Sequence, residues 1–174
     1  VVEINTVQIR QYASPPHHQV DDYPYGGGPG MVMKPEPVFR ALDHVSDNFG
    51  TGEKILLSPQ GIPFNQNIAK NLANKKHLIL ICGHYEGVDE RIRKYAVDCE
   101  LSLGDFVMSG GEPAALAVAD SVIRLLPGCL GAEKAHQNES FYSGLLEFPQ
   151  YTRPRSFRNY HVPEILLSGN HEKI

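Results

Sequence analysis

His77-Leu-Ile-Leu-Ile-Cys-Gly-His-Tyr-Glu-Gly-Val-Asp-Glu-Arg91 and Glu100-Leu-Ser-Leu-Gly-Asp-Phe-Val-Met-Ser-Gly-Gly111 are the stretches on which the rest of the chain turns. Leu78 to Cys82 is an apolar run of the length of a buried strand. It ends on glycine, and Gly83, Gly87, Gly104, Gly110 and Gly111 all stand at the ends of apolar runs. Glycine permits close approach of backbone to a ligand, and in open α/β sheets ligands sit beyond the carboxyl ends of the strands. The cluster therefore fits either a small-molecule site built mainly from main chain or a set of tight turns.

Working outward, Ile55–Leu57 reads as a short strand ending in Ser58-Pro-Gln-Gly61. Residues 65–75 read as a helix with Asn65 as its N-cap, and 77–82 as the next strand. Strand, helix, strand in that order implies a parallel pair with a crossover. Residues 89–95 read as a short helix and 97–103 as a further strand. Pro113 to Leu126 is the clearest helix, with proline in its first turn and Pro127-Gly128 ending it. Ala115, Leu116, Ala119, Val122, Ile123 and Leu126 give it a wide apolar face. Asp120 and Arg124 sit at i,i+4 on the other side, an order that also suits a plain surface ion pair.

At the N-terminal end, Val2 to Ile9 alternates loosely and reads as a strand. Tyr12 to Gly30 holds Pro15, Pro16, Pro24 and Pro29 with several glycines and reads as a long loop. Loops of this length are usually functional or mobile, and Asp21, Asp22, Tyr23 and Tyr25 make this one chemically specific. Pro37 to Asn48 reads as a helix started by proline. Toward the other end, residues 131–140 are polar and lack apolar periodicity, which suggests a linker. Beyond it, Arg153, Arg155 and Arg158 with Tyr151 and Phe157 form a basic and aromatic cluster that suits phosphates and stacked bases, or a solvated loop. Leu166 onward reads as the entry to a helix. Both ends of the chain read as cut.

Composition narrows the function classes. The chain has 174 residues, 41% hydrophobic and 21% charged, enough for one ordinary domain or a domain plus part of another. No apolar run is long enough to span a bilayer. Cys82, Cys99 and Cys129 lack a CxxC spacing and read as reduced thiols of a cytoplasmic protein. The eight histidines show no metal-ligand spacing. A net charge of −4 argues against indiscriminate nucleic-acid binding while leaving room for a local basic patch.

Taken together, the motifs resemble a known family. Val20-Asp-Asp-Tyr-Pro-Tyr-Gly-Gly-Gly28 with Gly30-Met31 is similar to bacterial tRNA (guanine-N1)-methyltransferases of the TrmD type. So are Ser58-Pro-Gln-Gly61, Cys82-Gly-His-Tyr-Glu-Gly-Val-Asp-Glu-Arg91, Ser102-Leu-Gly-Asp-Phe106, Ser109-Gly-Gly-Glu112, Arg124-Leu-Leu-Pro-Gly128, Tyr151-Thr-Arg-Pro154 and Leu167-Ser-Gly169. They stand in the family's order and near its spacing along the whole chain.

The resemblance implies an α/β fold of the SPOUT class. That is a parallel sheet flanked by helices with a deep trefoil knot, plus the start of a smaller, mainly helical C-terminal domain. It implies a catalytic domain over 1–130, a linker over 131–139 and a truncated tRNA-binding domain over 140–174. It implies S-adenosyl-L-methionine as methyl donor, with S-adenosylhomocysteine as product, held by Leu57, Ser58, Pro59, Gln60, Gly61, Gly83, Tyr85, Glu86, Gly87, Ser102, Leu103, Gly104, Phe106, Val107, Met108, Gly110, Gly111 and Ala114. Arg124 would be the catalytic arginine and Glu139 the general base, where the family usually has aspartate. His18, Asp21, Asp22, Tyr25, Gly26, Glu147, Arg153, Arg155 and Arg158 would meet the tRNA anticodon stem-loop. The enzyme would be a cytoplasmic homodimer with its active site at the subunit interface, methylating N1 of guanosine 37, just 3′ of the anticodon. No metal is implied.

Two departures from the family stand out. Besides Glu139, Gly110-Gly-Glu-Pro-Ala114 carries its proline one place earlier than the family's Gly-Gly-Glu-Leu-Pro. Other readings differ in what they require. Another SPOUT enzyme, acting on ribose or ribosomal RNA, would share the knot loops but lack the Val20–Met31 loop together with Tyr151–Pro154. A doubly wound nucleotide-binding module needs GxGxxG or a P-loop after a strand, and neither is present. A pure RNA-binding protein has no need of glycine-rich strand ends beside an arginine-bearing helix.

Overall fold

The structure is a computed structural model, describing residues 2–129, 139–142 and 144–170. These fall into two compact units, divided between residues 136 and 137.

The first unit is built on a three-stranded parallel sheet. Its central strand is β3 (Glu53–Pro63), flanked by β4 (Leu78–Cys82) and β5 (Cys99–Ser102). Glu53 to Leu57 pair in register with Leu78 to Cys82. Around the sheet lie α1 (Pro35–Phe49), α2 (Gln66–Ala73), α3 (Glu90–Tyr95) and α4 (Glu112–Ile123). A small antiparallel pair, β1 (Asp21–Asp22) with β2 (Val32–Met33), precedes α1.

Strand alternation explains why helices cover both faces. Leu56, Ile79 and Ile81 point one way and pack with Val38, Leu42 and Val45 of α1 and Ile92 of α3. Ile55, Leu57 and Leu101 point the other way and pack with Ala69 and Leu72 of α2 and Val118 and Val122 of α4. Ile55 and Leu56 are fully buried, each worth roughly 1.5–3 kcal/mol of transfer free energy. With both faces covered, the strands are near-continuous apolar runs, as parallel sheets require.

Helix ends follow their local chemistry. The Asn65 side chain accepts from the N–H groups of Asn67 and Ile68 and caps α2. Asp89 caps α3 by accepting from the Arg91 N–H. Pro35 opens α1 and Pro113 lies in the first turn of α4, where a missing N–H breaks no helical bond. The early proline of Gly110–Ala114 is thus compatible with the helix starting there.

Four readings need correction. Residues 2–8 form no strand; only Val7 and Ile9 pack on the core, and Ile9–Tyr12 is a 3-10 turn. The spacing of Val2, Ile4, Val7 and Ile9 breaks period two, so no single face is apolar. The long loop is not wholly irregular, because Asp21 and Asp22 pair with Met33 and Val32. The β3 strand does not stop at Leu57 but runs on to Pro63, its pairing with β5 shifting register between Leu57 and Ile62. Ser58–Gly61 is therefore a bulge within the strand. The clearest helix ends at Ile123 rather than Leu126, leaving Arg124 as its C-cap.

The second unit contains a short hairpin of β6 (Ser156–Phe157) and β7 (Tyr160–His161), then the four-residue helix α5 (Glu164–Leu167). Residues 131–138 of the anticipated linker lie outside the described residues, as do 171–174. No helix among the described residues is long and apolar enough to cross a membrane.

Candidate active site

Three segments carry the matching motifs, and backbone contacts tie the first to β5 and the second to the third. The first is the bulge Ser58–Gly61. There the Gln60 N–H donates to Ser58 Oγ at 3.1 Å, while Pro59 and Gln60 face solvent. Gly61 lies on the backbone of β5: a Cβ added there would come 2.5 Å from Leu101 N and C. The second loop, Gly83–Gly87, follows β4. The third, Leu103–Gly111, follows β5 and leads into α4. The Gly111 N–H donates to the Gly83 carbonyl at 2.9 Å, and a Cβ on Gly111 would come 2.7 Å from the Cys82 Cα. The sequence left open whether these glycines make a site or only turns. Gly61 and Gly111 serve close backbone approach, which no side chain tolerates at these distances.

The close approach at Gly61 carries a prediction. Gly61→Ala forces β5 away from the bulge and costs on the order of 1–3 kcal/mol, as overpacking does. Chemical denaturation should show a lower midpoint with an unchanged slope; a wild-type midpoint would contradict the contact.

Around these loops the predicted residues take distinct positions. Leu57 and Ala114 are buried, and Leu103 and Met108 pack against the same core cluster. Ser102 is buried. Its Oγ donates to the Gly104 carbonyl and accepts from the Gly104 N–H, each at 3.1 Å. Phe106 and Val107 are exposed. Tyr85 is half exposed and has φ +60, a conformation non-glycine residues adopt rarely and at a cost of order 1–3 kcal/mol. Glu86 is exposed, and its N–H donates to the Met31 carbonyl at 3.0 Å.

The Gly83–Gly87 loop is therefore also tied to the arm that carries Asp21 to Met33. The Met33 N–H donates to the Gly87 carbonyl at 2.9 Å, and the Asp89 N–H to the Met33 carbonyl at 3.0 Å. On the arm, His18 Nδ1 lies 2.9 Å from the Ala13 carbonyl. Asp21 and Asp22 form β1, Gly26 has φ +89, and Tyr25 is fully exposed. A cleft of about 470 Å³ opens beside it, its walls including Asp22, Tyr25, Glu36, Val88 and Arg91. Arg91 pairs with Asp89 at 2.7 Å, and that guanidinium holds the Asp89 carboxyl below its usual range.

Arg124 is exposed immediately after α4, and its N–H donates to the Asp120 carbonyl at 3.1 Å. In the second unit, Glu139 is partly buried, its carbonyl accepting from the Tyr142 N–H. The Glu147 N–H donates to Ser140 Oγ at 3.0 Å. Arg153, Arg155 and Arg158 are exposed. Arg158 sits in the β6–β7 turn with its guanidinium 5.3 Å from the Phe157 ring centroid.

Two residues of the quoted motifs gained no role in the sequence reading. His84 Nε2 lies 2.7 Å from a Glu112 carboxylate oxygen, linking the second and third loops. That hydrogen bond holds the Glu112 carboxyl below its usual range. A carboxyl lowered in this way stabilises the fold above ordinary carboxylate pKa values, and the contribution is lost as pH falls through the lowered value.

Cys82, beside Gly83, is pushed up to about 11 by burial and, secondly, by the Glu112 carboxylate. Its thiol is therefore protonated and inert at neutral pH. Iodoacetamide at pH 7.5 should label the exposed Cys129 well before Cys82; equal rates by peptide mass spectrometry would contradict this.

With this geometry in place, comparison with known proteins decides the family. The family described as tRNA (Guanine-1)-methyltransferase TrmD matches the chain over residues 1–174. The chain belongs to this family. A tRNA (guanine-N(1)-)-methyltransferase of Staphylococcus epidermidis is 55% identical over 174 residues, covering 100% of this chain and 71% of that protein. Its counterpart in Moorella thermoacetica is 58% identical over 178 residues, covering 99% and 70%. The crystal structure of tRNA (m1G37) methyltransferase from Aquifex aeolicus superposes with a TM-score of 0.78 at 48% identity. That match covers 94% of this chain and 67% of the other. Four of the motifs that carry the likeness, Ser58–Gly61, Cys82–Arg91, Ser102–Phe106 and Ser109–Glu112, lie in the β3 bulge or at and beyond the ends of β4 and β5.

Proposed function

We propose that this chain transfers a methyl group from S-adenosyl-L-methionine to N1 of guanosine 37 in tRNA, releasing S-adenosylhomocysteine. The observation that carries the reading is close backbone contact at Gly61, where the β3 bulge meets β5, and at Gly111, where the loop after β5 meets the loop after β4. This is a main-chain cradle in a chain that matches the methyltransferase family end to end.

The residues present suit the donor. Backbone groups of Ser58–Gly61, Gly83, Gly87, Ser102, Gly104, Gly110 and Gly111 would hold the polar edges of adenine and the amino-acid tail. Leu57, Leu103, Met108 and Ala114, which pack in one core cluster, would form the apolar floor, and the exposed Tyr85, Glu86, Phe106 and Val107 the rim. When bound, S-adenosylmethionine supplies an electrophilic methyl group on a sulfonium sulfur. Guanine N1 carries a proton at neutral pH and is a poor nucleophile. Glu139 would accept that proton as the N1–carbon bond forms and the carbon–sulfur bond breaks. Arg124 would stabilise the negative charge growing on O6.

As the family likeness implies, the chain would form a trefoil knot in this region. Ile62–Pro63 pairs with Leu101–Ser102 while Gly111 packs on Cys82 and Gly83. Ile62, Val107 and Leu116 on or beside these loops are 61%, 84% and 72% exposed. Covering such apolar residues would favour a two-fold homodimer, the commonest closed assembly. His18, Asp21, Asp22, Tyr25 and Gly26 would then complete the RNA surface of the partner's site. Arg153, Arg155 and Arg158, with Glu147 nearby in sequence, would hold the anticodon stem-loop through a C-terminal domain beginning near residue 140. A flipped guanine would be needed to reach a deep pocket. The enzyme would work in the cytoplasm.

Calorimetric titration tests this. S-adenosylmethionine should bind with one site per protomer, and ATP and NAD should not. Absence of S-adenosylmethionine binding by a folded dimer would overturn the reading.

A further inference from the structure

The second and third loops are joined by more than backbone. His84 pairs with Gly110 in an isolated antiparallel bridge, next to the hydrogen bond from the Gly111 N–H to the Gly83 carbonyl. On top of this, His84 Nε2 reaches Glu112 at 2.7 Å. The Glu112 carboxylate has no proton to give, so Nε2 must carry the hydrogen and donate it. Glu112 lies in the first turn of α4, where negative charge is favoured by the helix dipole. Gly110 makes the contact sterically possible: a Cβ there would come 2.5 Å from His84 Cε1 and 2.6 Å from Glu112 Oε2. On its other side, the His84 N–H donates to Met33 Sδ at 3.2 Å. The residue that follows is Tyr85, whose left-handed backbone persists only if its neighbours hold it.

We propose that His84 is a positioning residue. Through its hydrogen bond to Glu112 it clasps the Gly83–Gly87 loop to the start of α4 and holds Tyr85–Gly87 in the donor-binding conformation. Its role in donor binding rests on the function proposed above; the clasp itself does not.

Two measurements separate these. Hydrogen exchange of the ligand-free dimer reads the clasp alone: His84→Ala and Glu112→Ala should each speed exchange over residues 84–88, with melting temperature nearly unchanged. Steady-state kinetics reads its use. Each variant should raise KM for S-adenosylmethionine about fivefold, the scale of an exposed ion pair, with kcat within about twofold and KM for tRNA unchanged. The double variant should be no worse than either single one. His84→Gln, which keeps an N–H near the Nε2 position, should restore most of the affinity, and Gly110→Ala should reproduce the loss. Wild-type exchange and wild-type KM in both alanine variants would overturn the proposal. A glutamine variant as impaired as the alanine one would overturn it too. Faster exchange in the alanine variants, together with a wild-type chain that fails to bind S-adenosylmethionine, would instead overturn the proposed function and the role in donor binding, and leave the clasp standing.

Discussion

Glu139→Gln should lower kcat for methyl transfer by about 10²–10⁴-fold, the range contributed by a positioned general base. Glutamine keeps the length and nearly the shape of glutamate and cannot accept the N1 proton. Binding of tRNA and of the methyl donor should therefore change little, and the loss should fall on kcat. Glu139→Asp offers the complementary test. It restores the residue the family usually carries here and should retain activity within about tenfold, since either carboxylate can take the proton. Single-turnover rates with saturating tRNA and S-adenosylmethionine would measure both. A glutamine variant within threefold of wild type would remove Glu139 from the chemistry.

Arg124→Ala should lower kcat by about 10²–10³-fold, the usual effect of deleting a group that stabilises charge developing in a transition state. Arg124 lies exposed just beyond the end of α4, so its removal should leave the melting temperature within a degree or two of wild type. Arg124→Lys should fall between. Lysine keeps the positive charge but loses the planar fork that can address an oxygen and its neighbour together. A loss confined to KM for tRNA, with kcat intact, would make Arg124 a backbone-binding residue instead.

Much of the sheet and its helices was legible because the local signals agreed with the tertiary solution. Leu78 to Cys82 reads as a buried strand and is one, with α1 and α3 over one face and α2 and α4 over the other. Asn65 announced a cap and became one. Pro113 marked the first turn of α4 although it stands one place earlier than in the family. Where local and tertiary signals disagreed, reading failed. Pro59 and Gly61 look like the end of a strand, yet β3 runs through them as a bulge because Ile62 and Pro63 regain partners on β5. Val2 to Ile9 looks like a strand but finds no strand partner among the described residues.

The candidate site was legible as a set of loops and not as a set of side-chain contacts. Glycine spacing pointed to strand ends, but not to which glycine meets which backbone. That Gly61 faces Leu101 depends on the β3–β5 register, and that Gly111 faces Cys82 on how the loop after β5 returns to the end of β4. The His84–Glu112 pair spans 28 residues, and neither residue type is diagnostic by itself. Its signal was present in that both belong to the quoted motifs, but nothing local pairs them. Family likeness, carried by motifs in order along the chain, supplied the roles proposed for Arg124 and Glu139, which no local pattern could.

Methyl transfer to a defined RNA tests the central claim most directly. The protein would be given S-adenosylmethionine and an anticodon stem-loop with guanosine at position 37, and the digested product analysed by mass spectrometry against a stem-loop with adenosine there. The account predicts 1-methylguanosine from the first RNA and no methylation of the second. Methyl groups on ribose or on another base, or no transfer by a chain that binds S-adenosylmethionine, would contradict it.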